Sequence, residues 1–184
     1  MVWVAALGLG LGAGFAGRGS LENIARLRFR WPWVLVAALV VREAVVLTPL
    51  NRIDGVQYAY AAALGAVVAW TLWHVKRVAM IWLVAAGSAL NLVVIAANGG
   101  RMPVAAELAG TLLQRGHIGQ YTLMTPYTQL NWLADWIVLP GSLGRVAHEA
   151  YSPGDIIVAV GIALVVVLAM RSRETRPRIV SDPP

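Results

Sequence analysis

The sequence predicts an all-α fold, a polytopic transmembrane helix bundle with five spanning helices and short interfacial helices in a long external loop. Three observations predict it. Of the 184 residues, 59% are hydrophobic and only 13% charged, against about 25% charged in soluble domains, and the mean hydropathy is +0.67. The apolar residues gather into five runs, at about 1–17, 31–50, 56–73, 78–97 and 155–170, each near the roughly 20 residues that cross a bilayer. The basic residues sit in short groups beside those runs, as a spanning chain requires. That dispersal excludes nucleic acid as a partner despite the net charge of +6, because a nucleic-acid binder collects its charge on one face. Cysteine is absent, which excludes disulfides, thiolate metal ligands and thiol redox chemistry.

The first run has no basic leader and is followed by Arg18, Arg26, Arg28 and Arg30, the reverse of a secretory signal. It is therefore expected to remain as a span with its N-terminus outside. Glycines at 8, 10, 12 and 14 form two overlapping G-x-x-x-G pairs, a spacing that lets a neighbouring backbone approach closely. "GAGFAG" also fits a dinucleotide-binding fingerprint, but no βαβ unit surrounds it. The second run holds Arg42 and Glu43 inside the apolar stretch "VVREAVV". Neighbours on a helix point about 100° apart, so Arg42 is expected to seek its partner elsewhere, with Asp155 first and Asp135 second. Runs three and four repeat the small-residue spacing at Ala61, Gly65 and Ala69, and flank His74, Lys76 and Arg77, a cytoplasmic positive cluster. Tryptophans at both ends of the runs fit interfacial belts.

With the N-terminus outside, the inner side receives Arg18, Arg26, Arg28, Arg30, Lys76, Arg77, Arg171, Arg173, Arg176 and Arg178, and the outer side only Arg52, Arg101, Arg115 and Arg145. Residues 1–170 thus read as one membrane domain and 171–184 as a disordered basic cytoplasmic tail. "NGGRMPV" at 98–104 falls outside and opens the external loop 98–154. Asn98, Gly99 and Gly100 permit a sharp turn before Pro103. Val104, Leu108 and Leu112 recur every four residues, which predicts an amphipathic helix over 103–115. The stretch between Pro126 and Pro140 is too short to span and reads as an interfacial or re-entrant helix.

The stretches "LRFRWPW", "NGGRMPV", "LADWIVLP" and "SPGDIIVAVGIAL", in that order, resemble an uncharacterised bacterial membrane family, domain of unknown function 5317. The resemblance implies a small protein of the bacterial inner membrane and brings no assigned chemistry. The chain departs from the family's pattern at Asn131, Ala134 and Val138, where Pro, Gly and Pro are usual, and keeps Asp135.

Polar residues inside apolar runs are the informative ones. Ser88, Asn91 and Asn98 lie close to one helical face, and an amide cannot face lipid unsatisfied. This stripe either hydrogen-bonds between helices or lines a polar cavity that opens outward at the loop. In the second case Asn91, Asn98, Arg101, Asp135 and Asp155 surround a ligand site, with Gly99 and Gly100 offering amides to an anion. Two carboxylates and an arginine suit a polar head group, or acid–base work if burial raises one pKa. Asp155 in "SPGD" is equally a helix-capping acid.

Catalytic signatures are weak. "HEAY" at 148–151 has Ser152 where a second zinc-binding histidine would stand, and "GSLG" around Ser142 lacks the pattern of a nucleophile elbow. No metal and no cofactor is expected. The reading is an accessory subunit of a membrane complex, or a homo-oligomer, or a binder of lipids or small molecules at the outer face. The alternatives are a small transporter or channel and an enzyme acting on a lipid-linked substrate.

Overall fold

The computed structural model describes residues 2–109, 119–138 and 150–172. It is mostly helical: α1 (Val2–Ala16), α2 (Leu21–Ala25), α3 (Trp33–Leu47), α4 (Val56–His74), α5 (Ile81–Ala97) and α6 (Pro153–Arg171). Two short strands, β1 (Met102–Val104) and β2 (Tyr121–Leu123), pair in parallel, with Pro103 opposite Thr122. The basic tail beyond Ser172, the histidine of "HEAY" and all of "GSLG" lie outside the described residues.

The five apolar runs become the five long helices. Among the described residues, only α4 and α6, with 19 residues each, are long and apolar enough to cross a membrane. α1 has 15 residues, α3 has 15 and α5 has 17, short of the roughly 20 needed, so five spanning helices exceed what helix length supports.

Helix ends follow local chemistry. Beyond α1, Arg18 takes a left-handed conformation (φ 58°) and the Gly19 amide returns to the Gly14 carbonyl at 2.9 Å, closing the helix with a Schellman turn. Pro32 precedes α3. Thr48 and Pro49 end it, and the Thr48 hydroxyl donates to the Ala44 carbonyl at 2.6 Å. After α5, Gly99 and Gly100 both have positive φ, and the Gly100 amide donates to the Ile95 carbonyl at 2.8 Å. "NGG" is thus a helix cap of the same kind.

The long helices pack in the spatial order α3, α4, α5, α6, α1, and α1 and α3 at the two ends do not pack extensively on each other. Small residues set the close crossings. A Cβ on Gly87 would lie 2.5 Å from the Gly154 carbonyl oxygen, and one on Gly10 would lie 2.9 Å from that of Ala163. The doubled G-x-x-x-G expectation is corrected by half: Gly10 and Gly14 face α6, whereas Gly8 and Gly12 have nothing within 4 Å. One helix has one neighbour here, so only one glycine face is used.

The covering loop departs most from expectation. Residues 102–104 form β1 instead of opening a helix over 103–115, and residues 110–115 of that expected helix lie outside the described residues. Between Pro126 and Val138 there is one 3-10 turn, Asn131–Leu133, and no interfacial helix. Main-chain pairing replaces it. The Asp135 amide donates to the Pro103 carbonyl at 3.0 Å, the Ala105 amide to the Asp135 carbonyl at 2.9 Å, and Ile137 exchanges hydrogen bonds with Tyr151 at 2.9 Å each way. Val94, Ile95, Met102, Leu133 and Ala134 form the core beneath this cover.

Candidate functional site

Helix α6 begins with a capping box. The Ser152 hydroxyl oxygen accepts from the Asp155 amide at 2.9 Å, and Asp155 Oδ2 accepts from the Ser152 amide at 3.0 Å. Both ends of that box reach α5. Asn91 Nδ2 donates to Asp155 Oδ1 at 3.0 Å, and the Ser152 hydroxyl donates to Asn91 Oδ1 at 2.8 Å. Asp155 is therefore a cap and also part of an interhelical network. Of the two readings for Asn91 the interhelical hydrogen bond is present, and the same side chain also lines a cavity.

Above this network the covering loop carries Asp135. Its backbone is clamped between Pro103 and Ala105, and its side chain faces the cavity that Asn91 and Asp155 line. Asp135 is 6% exposed, and its Oδ1 has no hydrogen-bond partner among the described residues. Burial first, and then the negative charge of Asp155, push its carboxyl well above the usual carboxylate range. Burial and the Asp135 charge also push the Tyr121 hydroxyl up to about 12, so that phenol stays a neutral donor.

Arg42 enters the same cavity from α3. Its expected partnership with Asp155 or Asp135 is corrected: it pairs with its own neighbour, Glu43, and its guanidinium lies 5.4 Å from the centre of the Trp3 ring. Long, flexible side chains can converge although their Cβ atoms diverge, whereas Asp155 is already engaged by Asn91 and Ser152. The Trp3 contact bridges α1 and α3, the two helices that otherwise leave a gap.

The cavity has two chambers that share Trp3, Arg42, Tyr60, Asn91 and Asp155. The one beneath the cover, about 260 Å³, adds Tyr121, Asp135 and Tyr151. The other, about 370 Å³, is an apolar groove running between the helices past Ala38, Ala63 and Val158 to Phe29 and Trp70. A polar chamber thus adjoins an apolar channel, with those five residues common to both.

The remaining sequence candidates do not join this site. Asn98 staples the cover to α5: its Nδ2 donates to the Val94 and Gln129 carbonyls at 2.8 and 2.9 Å, and its Oδ1 accepts from the Gln129 amide at 2.8 Å. Gly99 and Gly100 cap α5, with the Gly100 amide committed to Ile95. Arg101 lies 3.7 Å from Asp54. The aromatic residues Trp3, Tyr60, Tyr121 and Tyr151 escaped sequence reasoning, since tyrosine and tryptophan at helix ends read as interfacial anchors.

At the opposite, basic end His74 is fully buried instead of forming part of an exposed positive cluster. Its Nδ1 lies 2.8 Å from the Trp70 carbonyl and its Nε2 accepts from the Arg30 amide at 3.1 Å, a pattern that assigns the proton to Nδ1. Trp70 Nε1 donates to the Arg30 carbonyl at 2.8 Å, and the Phe29, Trp70 and His74 rings stack with centroids 4.2 to 5.8 Å apart. This lock closes the far end of the groove.

A family model matches residues 26–167, and the chain belongs to that family, the family of unknown function DUF5317. The match covers α3 to most of α6, and with them every cavity residue named above except Trp3. No curated protein and no solved structure matches the chain.

Proposed function

We propose that this member of DUF5317 is an integral membrane protein that binds an amphipathic molecule, with the head beneath the covering loop and the apolar tail in the interhelical groove. The observation that carries the reading is that the two chambers adjoin and share Tyr60, Asn91 and Asp155. Binding pockets are typically apolar with a few placed polar groups, and here polar and apolar parts are segregated along one axis, as they are in a lipid.

Membrane residence is supported by the apolar α4 and α6 and by exposed Val4, Leu9, Val36, Val40 and Val93, which lipid would cover. The proposed ligand enters the groove from the bilayer between α1 and α3, which do not pack extensively on each other. In this reading α1, α3 and α5 complete a five-span bundle, their short lengths extended by the flanking turns. The positive-inside count places the covering loop on the outer face and the C-terminus in the cytoplasm. The bacterial inner membrane is the compartment proposed.

Native mass spectrometry of the gently solubilised protein tests the reading. An amphiphile is expected to co-purify, and Ala63→Phe, which fills the groove, should cut its occupancy at least fivefold without unfolding the protein. Equal occupancy in that variant would refute it.

A further inference from the structure

The chemistry of the head chamber narrows the ligand class, on the premise that the cavity takes an amphiphile. Asp135, Asp155 and Arg42 line it, and the carboxyl of Asp135, which burial makes harder to ionise, gives up its proton more readily when a cation settles beside it. Arg42 is paired with Glu43, which is not among the lining residues, so its positive charge is already matched and the chamber is left acidic. A phosphate or carboxylate head would face two carboxylates. A cation would face two attractive groups.

Two further observations point to the kind of cation. Asp135 Oδ1 is buried and has no donor, and an orphaned buried oxygen is costly unless something donates to it. A primary ammonium brings three N–H donors. Around the carboxylates stand the rings of Tyr60, Tyr121 and Tyr151, and aromatic faces attract a desolvated cation. A metal ion suits the place poorly, since no group of three or more acidic or histidine side chains able to hold one occurs among the described residues.

We infer that the head group bound here is a primary ammonium, seated between the carboxylates of Asp135 and Asp155 and enclosed by Tyr60, Tyr121 and Tyr151. Its tail follows α5 from Asn91 to Ile81, a span of about 15 Å at 1.5 Å per residue, which accommodates a single medium-length alkyl chain.

Dodecylammonium, dodecanol and dodecanoate, added to the full chain in amphipol at neutral pH, separate the possibilities by native mass spectrometry. Dodecylammonium is expected to bind at least tenfold more tightly than dodecanol, and dodecanoate more weakly than either. Asp135→Asn should weaken dodecylammonium far more than dodecanol and bring the two close together, whereas Ala63→Phe should weaken both. Phosphatidylethanolamine set against phosphatidylglycerol then distinguishes the source: preference for the former identifies a bilayer aminolipid, and preference for neither identifies a single-chain amine. Wild-type protein that binds dodecanol or dodecanoate as tightly as dodecylammonium overturns the ammonium assignment while leaving amphiphile binding intact. Preference for phosphatidylglycerol does the same. No binding of any probe overturns the amphiphile reading itself.

Discussion

Asn91 of α5 and Asp155 of α6 are joined by a 3.0 Å hydrogen bond across 64 positions of sequence, and the same asparagine accepts from Ser152. One amide thereby holds the start of α6 against α5 and orients a carboxylate at the cavity. Asn91→Leu strands two polar groups at once, one of them on the fully buried Ser152. A loss of about 2 to 4 kcal/mol is expected, from about 1 to 3 kcal/mol for each stranded group with partial rescue by water. Asn91→Leu, Asp155→Asn and the double variant, unfolded in mixed detergent, should show clear non-additivity; strict additivity would mean the bond contributes nothing.

Glycine substitutions should divide by face. A Cβ on Gly154 would stand 1.9 Å from Asn91 Oδ1 and 2.7 Å from the Gly87 carbonyl oxygen, whereas Gly8 and Gly12 meet nothing within 4 Å. Gly154→Ala is expected to lower the Tm by several degrees or more, through overpacking of about 1 to 3 kcal/mol. Gly8→Ala and Gly12→Ala should leave it unchanged or slightly raised, since alanine favours the helix. An effect at Gly154 no larger than those at Gly8 and Gly12 would contradict the close crossing of α5 and α6.

Asp135 makes stability depend on pH with a definite sign. Its folded-state pKa is raised by burial and by Asp155, so the folded protein keeps a proton that the unfolded chain releases near pH 4. The associated stability is complete below that pH and is lost as pH rises through the folded-state value. Arg42 on α3, Tyr60 on α4, Tyr121 on β2, Tyr151, and Asp155 on α6 face the same cavity. The difference between wild type and Asp135→Asn isolates the aspartate from them. Asp135→Asn should be the more stable of the two at neutral pH and the difference should shrink towards pH 4; a difference independent of pH would refute the assignment.

His74 predicts a loss at the far end of the groove. Replacing it with alanine removes the acceptor for the Arg30 amide, the group facing the Trp70 carbonyl, and a ring from the Phe29–Trp70 stack. Destabilisation of about 2 to 4 kcal/mol is expected, the scale of a buried truncation that also strands polar groups. Chemical denaturation followed by tryptophan fluorescence measures it, and a loss below about 0.5 kcal/mol, the scale of an ordinary surface change, would show that His74 is no lock.

Helices were legible in the sequence because apolar runs and their caps are local signals. "NGG" after α5 and "SPGD" before α6 carry the same chemistry in isolation as in the fold. The covering loop was not legible. Val104 and Leu108 repeat at helical spacing, yet Met102–Val104 are drawn into strand β1 by β2 and by Asp135, partners 19 or more positions away. A three-residue strand has too few positions to announce a period of two. Of the cavity, Asn91, Asp135, Asp155 and Arg42 stood out as polar groups in or near apolar surroundings, which is costly unless used. The tyrosines did not, because their rings are at home in any apolar run. Arg42's partner was misread because helical spacing fixes where a Cβ points and leaves free where a long side chain ends.

The cover over the head chamber is held by amide-to-carbonyl pairing at residues 103, 105, 135, 137 and 151, and such pairing is blind to side-chain identity. Val138 is exposed on this framework, whereas Asn131 bonds Thr125 and Thr128 through its side chain and Ala134 is buried in the core. The loop therefore behaves as a loom: threads of different colour can be substituted between the fixed knots, and the carboxylate at Asp135 still hangs over the same opening. Sequence drift at its exposed positions is free to reshape the outside of the cover while the cavity-facing side stays where it is.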